Sequence, residues 1–408
     1  MQQNQAPSKR ILVAGDVTTD WFIAMARGEK SGSWTKHVHS KLWQAPGGAA
    51  LLAQLVESVL NSLDEKQQIA CTLQTCYSLP EDAVEEERRI HHVYSLWVPF
   101  AEKGLGNVWR IDRYLGSDPA DEIRCPAAID LRSNPAEDEI LLINDQGLGF
   151  RDQPEDWRSL VDGLDPDAWV LMKMTKPVVR GPLWDYLLDH RAERMVVLTT
   201  IDDLRQSEVQ ISRQLSWERT AQDVLWELTH NPSVNGFSRC AHVVISLGAA
   251  GAILLSRQAQ EARLFFDAQR MEDEWEEQHP GAVFGDTTCL AAAICRQWML
   301  RPEQPDFSMG IQTGVAAIRR LHLSGFGRAN TDPQDAQLRF PADEITQTIL
   351  SEECPLVSTM IQDPVQNILA PSDGERMQVT PGLWTILEDT YTDTLMPVSY
   401  THLRAHET

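Results

Sequence analysis

Gly281-Ala-Val-Phe-Gly285-Asp286-Thr287-Thr288-Cys289-Leu290-Ala-Ala-Ala-Ile-Cys295 is the stretch on which the reading of this chain turns. Its first half is loop-like, and its second half is a run of small and apolar helix formers, so the pattern predicts a helix whose N-terminus is Gly285-Asp286. Backbone N–H groups without intrahelical partners, together with the positive end of the helix dipole, make such a position an anion site. A carboxylate placed there can take a proton from an alcohol while the amides hold a transferring phosphoryl group. Asp and Thr are also common helix caps, so the segment alone is read first as a capped helix.

About thirty residues upstream, Val243-Val-Ile-Ser246-Leu247-Gly248-Ala-Ala-Gly251-Ala-Ile-Leu-Leu255 reads as a strand, a glycine-bearing turn and a second apolar strand. Glycine permits close backbone approach to a nucleotide, and it is also the ordinary turn residue. Further upstream, Ile11 to Ala14, Glu139 to Asn144, Ala168 to Met172 and Met195 to Thr200 are short apolar runs closed by turn residues. Helical stretches separate them, among them Ala49 to Leu63 behind Pro46-Gly47-Gly48, Pro182 to His190 and Thr220 to Leu228. This alternation predicts an α/β fold, a mostly parallel sheet with helices on both faces, and ligands bound beyond the carboxyl ends of the strands. Asp16, Asp145 and Gly248 would project there.

Trp21 to Trp43 and His91 to Tyr114 do not fit the alternation, and their interleaved aromatic, Val and polar residues predict a small antiparallel accessory sheet over the site. After Gly325, Pro341, Pro355, Pro364, Pro371 and Pro381 interrupt short helical segments, as in a linker. Leu383 to Leu395 reads as the start of a further helix, and Val398-Ser-Tyr-Thr-His-Leu-Arg-Ala-His-Glu-Thr408 resembles a translated sequencing adaptor.

The chain has 408 residues, 42% of them hydrophobic, which is enough for one large core. Its 36 basic and 59 acidic residues give a net charge of −23, a surface that repels a phosphate backbone, so no nucleic-acid partner is expected. Seven cysteines include no C-x-x-C pair and no zinc spacing, which suits reduced thiols in the cytoplasm. No apolar run reaches membrane-spanning length and Met1 to Arg10 lacks the apolar core of a signal peptide, so no membrane association is expected. There is no Walker-type G-x-x-x-x-G-K-[ST] loop, no complete G-x-G-x-x-G and no H-E-x-x-H, and the metal ligands, if any, cannot be named.

Taken in order, Gly15 to Asp20, Gly47-Gly48, Asp145 to Gly149, Ser246 to Gly251 and Gly285-Asp286 resemble the motifs of the ribokinase-like (PfkB) carbohydrate kinases. The resemblance implies a three-layer α/β/α fold with a mostly parallel central sheet and a small β lid. It implies a kinase domain over residues 1–350, with lid segments at about 21–45 and 91–117, followed by a linker and the start of a truncated region over 351–396. It also implies ATP and Mg²⁺, and transfer of the γ-phosphoryl group to a hydroxyl of a sugar or nucleoside-like small molecule. In this reading Asp286 is the base, and the Gly285 amide stabilises the phosphoryl group. Ser246, Gly248, Gly251, Val283 and Phe284 lie at the nucleotide, and Gly15, Asp20, Gly47, Gly48 and Asp145 at the acceptor. Whether such lids pair across a homodimer is left open. Val283 and Phe284 replace the first Gly and the Ala of the family's anion-hole loop, Leu51 replaces an Asn, and no Asn-x-x-Glu motif appears near Glu218. These departures support an alternative, a catalytically degenerate ligand-binding or regulatory module coupled to a missing C-terminal domain.

Overall fold

The computed structural model describes residues 9–26, 40–62, 69–73, 93–98, 107–115, 139–147, 150–152, 154–175, 181–207, 209, 211, 217–231, 234, 236–257, 261–266, 285–301, 305–324, 340–352 and 356–361; at 9–10, 17–26, 40–46, 69–73, 93–98, 107–115, 139, 152, 155–156, 206 and 218 it describes the backbone alone. Val283 and Phe284 lie outside the described residues, as do 362–408.

Strand β1 (Lys9–Gly15) is buried on both faces from Ile11 onward, and the side chains there divide by parity. Ile11 and Val13 enter one hydrophobic layer, Leu12 and Ala14 the other. An alternating strand with two dry faces reads as one unbroken apolar run, which is why it is central. The same division holds in β7 (Glu139–Asp145), β8 (Trp169–Met174), β9 (Met195–Thr200) and β10 (His242–Ser246). With β4 (Ile69–Leu73) these strands pair in parallel. Three antiparallel strands, β11 (Gly251–Ser256), β12 (Glu261–Phe266) and β13 (Val357–Met360), extend the sheet to nine in the order β13-β12-β11-β10-β9-β8-β7-β1-β4. The last of these strands lies past residue 350, where the sequence reading ended the domain, and the compact unit runs to Ile361.

One face of the sheet carries α1 (Gly48–Asn61), α6 (Asp286–Leu300), α7 (Phe307–Ser324) and α8 (Ala342–Ser351). The other carries α2 (Pro154–Gly163), α3 (Pro182–Arg191), α4 (Ile201–Gln206) and α5 (Trp217–His230). A second sheet, of four antiparallel strands in the order β3-β2-β6-β5, is built from β2 (Val17–Ala26), β3 (Ser40–Gly47), β5 (Val93–Val98) and β6 (Asn107–Leu115). It leaves the main sheet directly after Gly15-Asp16 and returns at Gly47 into α1, so it springs from the carboxyl end of β1. The three-layer α/β/α fold with a mostly parallel sheet and a small β lid is the architecture that the resemblance implied.

The pair α6/α7 matters most for the site. A Cβ on Gly310 would lie 3.0 Å from the Ile294 Cα, and one on Gly314 would lie 3.0 Å from the Leu290 Cα. Small residues therefore let the two backbones approach closely, in an antiparallel register that brings the end of α7 beside the start of α6.

At the opposite end of these elements, His242 is packed among Trp169, Trp298 and Phe307, its ring 4.1 Å from that of Phe307. Burial lowers its pKa from the ordinary 6.5 to about 4. The unfolded chain therefore takes up a proton below about pH 6.5 that the folded chain refuses until about pH 4. This contribution to stability is whole above pH 6.5 and is lost as the pH falls toward 4, an effect of about 3 kcal/mol. Urea midpoints at pH 7.5 and 4.5 should fall further apart in the wild type than in His242→Leu; an equal drop in both would refute the assignment.

Candidate active site

The site begins where α6 begins. Gly285 has φ 96°, a left-handed conformation that glycine adopts without steric cost, and it turns the chain into the helix. A Cβ there would also lie 2.9 Å from the Phe340 ring. Asp286 follows as the first helical residue, 8% exposed. The N–H groups of this first turn have no intrahelical acceptors, so the carboxylate sits among free amides at the positive end of the helix.

Facing it is the turn between β10 and β11. Gly248 has φ 63°, and its N–H donates to the Ser246 Oγ at 3.1 Å. Its left-handed conformation favours glycine, and a Cβ built there would lie 3.6 Å from the Asp286 Oδ2, an ordinary van der Waals distance. The turn and the carboxylate are thus in contact range, although 38 positions separate them in sequence. Gly251 serves packing, since a Cβ on it would lie 2.0 Å from the Phe265 carbonyl oxygen.

Three side chains that the sequence reading did not single out complete this half. The His322 Nε2, from α7, lies 3.3 Å and 3.4 Å from the two Asp286 carboxylate oxygens. The Arg319 Nε, one turn earlier, donates to the Ala249 carbonyl at 2.9 Å. The Lys173 Nζ, at the end of β8 and 6% exposed, donates to the Thr288 Oγ1 at 3.0 Å. Burial pushes the Cys289 thiol well above its usual range, with the Asp286 charge adding to the effect and the Lys173 charge opposing it. Opposite charges therefore flank the first turn of α6. A lysine inside the fully buried strand Trp169-Val-Leu-Met-Lys-Met174 was a legible signal, because an ammonium is seldom placed at such a position without a specific partner.

The second half of the site is formed at β1 and β7. Asp16, completely buried, accepts N–H bonds on its carboxylate from Gln146 at 2.7 Å and Phe150 at 2.9 Å. Its own carbonyl accepts from the Ala49 N–H at 2.8 Å. Gly48, at φ 59°, must be glycine because a Cβ would lie 2.1 Å from that carbonyl oxygen. Gly15 abuts Asn144 in register, and Gly47 caps α1 in an extended conformation. The Asp145 carboxylate accepts from the Arg151 Nε at 2.9 Å and the Gly147 N–H at 3.0 Å, so it holds the loop that follows β7. Asp20 lies on β2, its backbone paired with Ala45 and Arg113. Between the two halves, Asn144 on β7 stands beside Lys173 on β8 in the sheet register, fully buried, and its side-chain nitrogen and oxygen have no partner among the described residues.

Ser246, Gly248, Gly285 and Asp286 are thus brought together by β10 and α6, while Gly15, Gly47, Gly48 and Asp145 gather around the ends of β1 and β7. Among the described residues no group of three His, Cys, Asp or Glu side chains is arranged to hold a metal ion, and no helix is long and apolar enough to cross a membrane.

No protein-family model matches the chain, and none of the curated proteins does. Solved structures similar to it include phosphofructokinase-2 from Escherichia coli in complex with fructose-6-phosphate, at 14% identity and a TM-score of 0.42, covering 85% of this chain and 99% of that one. Ribokinase from Giardia lamblia is similar at 13% identity and a TM-score of 0.44, over 85% and 99% of the two chains. The nucleoside kinase of Methanocaldococcus jannaschii is similar at 10% identity and a TM-score of 0.43, over 85% and 100%. The fold assignment above stands on the strand order and the two helical layers of this chain itself.

Proposed function

We propose that the chain is an ATP-dependent phosphotransferase that moves the γ-phosphoryl group to a hydroxyl of a sugar or nucleoside-like small molecule. The observation that carries this reading is the buried Asp286 carboxylate at the N-terminus of α6, in contact range of the open Gly248 turn. Asp286 takes the hydroxyl proton as the acceptor oxygen forms its bond to the γ-phosphorus and the bond to the leaving ADP oxygen breaks. The Gly285 amide and the free amides of the first turn stabilise the charge on the transferring group. The Ser246-Leu247-Gly248 turn carries the nucleotide, and Gly251 supports that turn, its carbonyl accepting from the Leu247 N–H at 3.0 Å; Val283 and Phe284, which the resemblance assigns to the nucleotide, lie outside the described residues. Lys173 adds a buried positive charge at the same helix end. Gly15, Asp20, Gly47, Gly48 and Asp145 shape the acceptor side. When bound with the nucleotide, Mg²⁺ would neutralise charge on the phosphates.

The test is a panel of sugars and nucleosides with ATP and Mg²⁺, read by nucleotide consumption and by thermal shift. Acceptor-dependent ADP release is expected for at least one member. Stabilisation by ligands with no turnover would support the degenerate binding module instead.

A further inference from the structure

We infer that α7 is the element that sets the base against the nucleotide turn, with His322 and Arg319 as its two positioning residues; this rests on the reading of Asp286 as the base. Both residues lie on one side of the helix, three positions apart, a spacing that places side chains on a common face. Arg319 holds the Gly248–Ala250 turn through the Ala249 carbonyl, and His322 holds the Asp286 carboxylate. The two halves of the phosphoryl site come from β10 and α6, which have no covalent link shorter than the whole β11 to β12 excursion. One helix therefore touches both halves of the site.

The packing brings the end of α7 and the start of α6 together. Along α6 the residues Ile294, Leu290 and Asp286 step by four, and along α7 Gly310, Gly314 and His322 step by multiples of four in the opposite direction. Gly310 meets Ile294, Gly314 meets Leu290, and His322 meets Asp286. The glycine contacts advance four residues on each helix, and the dyad lies one turn of α7 beyond that register, where the His322 ring reaches Asp286.

The chemistry sets the roles. A carboxylate that serves as base is ionised and can only accept hydrogen bonds, so this role requires the His322 Nε2 to be the donor. His322 is 6% exposed, and its Nδ1 is buried without a partner among the described residues. The ring thus spends its hydrogen-bonding capacity on Asp286 and acts through it, fixing the plane in which the carboxylate meets the acceptor hydroxyl. Arg319 performs the matching task for the turn, so loss of His322 should fall on the chemical step and loss of Arg319 on nucleotide binding.

The experiment uses the full chain, with MgATP and an acceptor found in the panel above. His322→Leu should lower kcat about 10- to 100-fold with the KM for ATP little changed, as expected when a reacting group is misplaced by a fraction of an ångström. His322→Gln, which keeps an N–H at nearly the same place, should recover most of that loss. Arg319→Met should raise the KM for ATP and leave kcat close to wild type. Wild-type kcat in His322→Leu, or an equal loss in the Leu and Gln variants, would overturn the inference.

A second measurement needs no turnover. In ¹⁵N-histidine-labelled protein, the His322 ring resonance, assigned by its loss in His322→Gln, should shift in Asp286→Asn and on adding MgATP. The MgATP response should vanish in Arg319→Met. A ring signal indifferent to Asp286→Asn would also overturn the inference. Turnover persisting in Asp286→Asn would remove the base and leave the measured His322–Asp286 contact standing, so the two failures are distinguishable.

Discussion

Asp286→Asn is expected to reduce phosphoryl transfer by about 10²- to 10⁴-fold, the usual worth of a general base. The substitution changes little else. Asn has the same size, and its Oδ1 can still accept from the His322 Nε2, so α6 should start at the same place. What disappears is the ability to take a proton. A negative charge also disappears from a position near the phosphates, and because like charges repel, ATP should bind as well as before or slightly better. Steady-state turnover with MgATP and acceptor, set beside calorimetric titration with MgATP alone, separates the two effects. Activity near wild type in the Asn variant would show that the hydroxyl proton leaves by another route. Loss of nucleotide affinity in parallel with turnover would show that Asp286 serves mainly to hold the helix end.

Asp16→Ala is expected to destabilise the fold by about 3 to 5 kcal/mol, since two hydrogen bonds to a charged group are lost and two buried donors are left without an acceptor. The Gln146 and Phe150 N–H groups both point at this carboxylate, and water does not reach it. The damage should spread along the chain, because the same residue joins the end of β1, the start of α1 and the loop after β7. A large fall in the urea midpoint is the expected readout, with Asp16→Asn intermediate because one of its two acceptors survives. A midpoint within experimental scatter of the wild type would mean that the loop finds other partners. This residue stands one position from Gly15, which the motif comparison selected, and its burial gives it a structural task rather than an acceptor-facing one.

Much of the fold was legible because its signals are local. The apolar runs at Ile11–Ala14, Glu139–Asn144 and Met195–Thr200 are bounded by turn residues, and each forms a strand within a residue or two of the expected limits. The change at Gly285, from loop residues to small helix formers, marks the start of α6 at Asp286. The interleaved aromatic and polar segments gave the accessory sheet for the same reason, since two-residue periodicity is written within a few neighbours. β4, β12 and β13 were not foreseen. β4 is five residues long, β13 lies on an exposed edge beyond a proline-broken stretch, and short strands of this kind are decided by the partner they find.

The candidate site divides along the same line. Gly285, Asp286, Ser246 and Gly248 could be singled out because glycines and a carboxylate at a helix start carry meaning wherever they stand. Nothing local in Arg-Arg-Leu-His322 distinguishes this histidine from one on a solvated face, and Lys173 acquires its partner only when β8 meets α6. The sequence by itself determined which segments become strands, where α6 starts and which carboxylate stands among its free amides, because backbone conformation and helix dipole are set by a few adjacent residues. Tertiary structure alone decided that His322, Arg319 and Lys173 converge on that carboxylate and its turn. Those contacts depend on how α7 packs on α6, how α7 meets the β10–β11 turn and how β8 meets α6, properties of surfaces in contact that no segment holds when read alone.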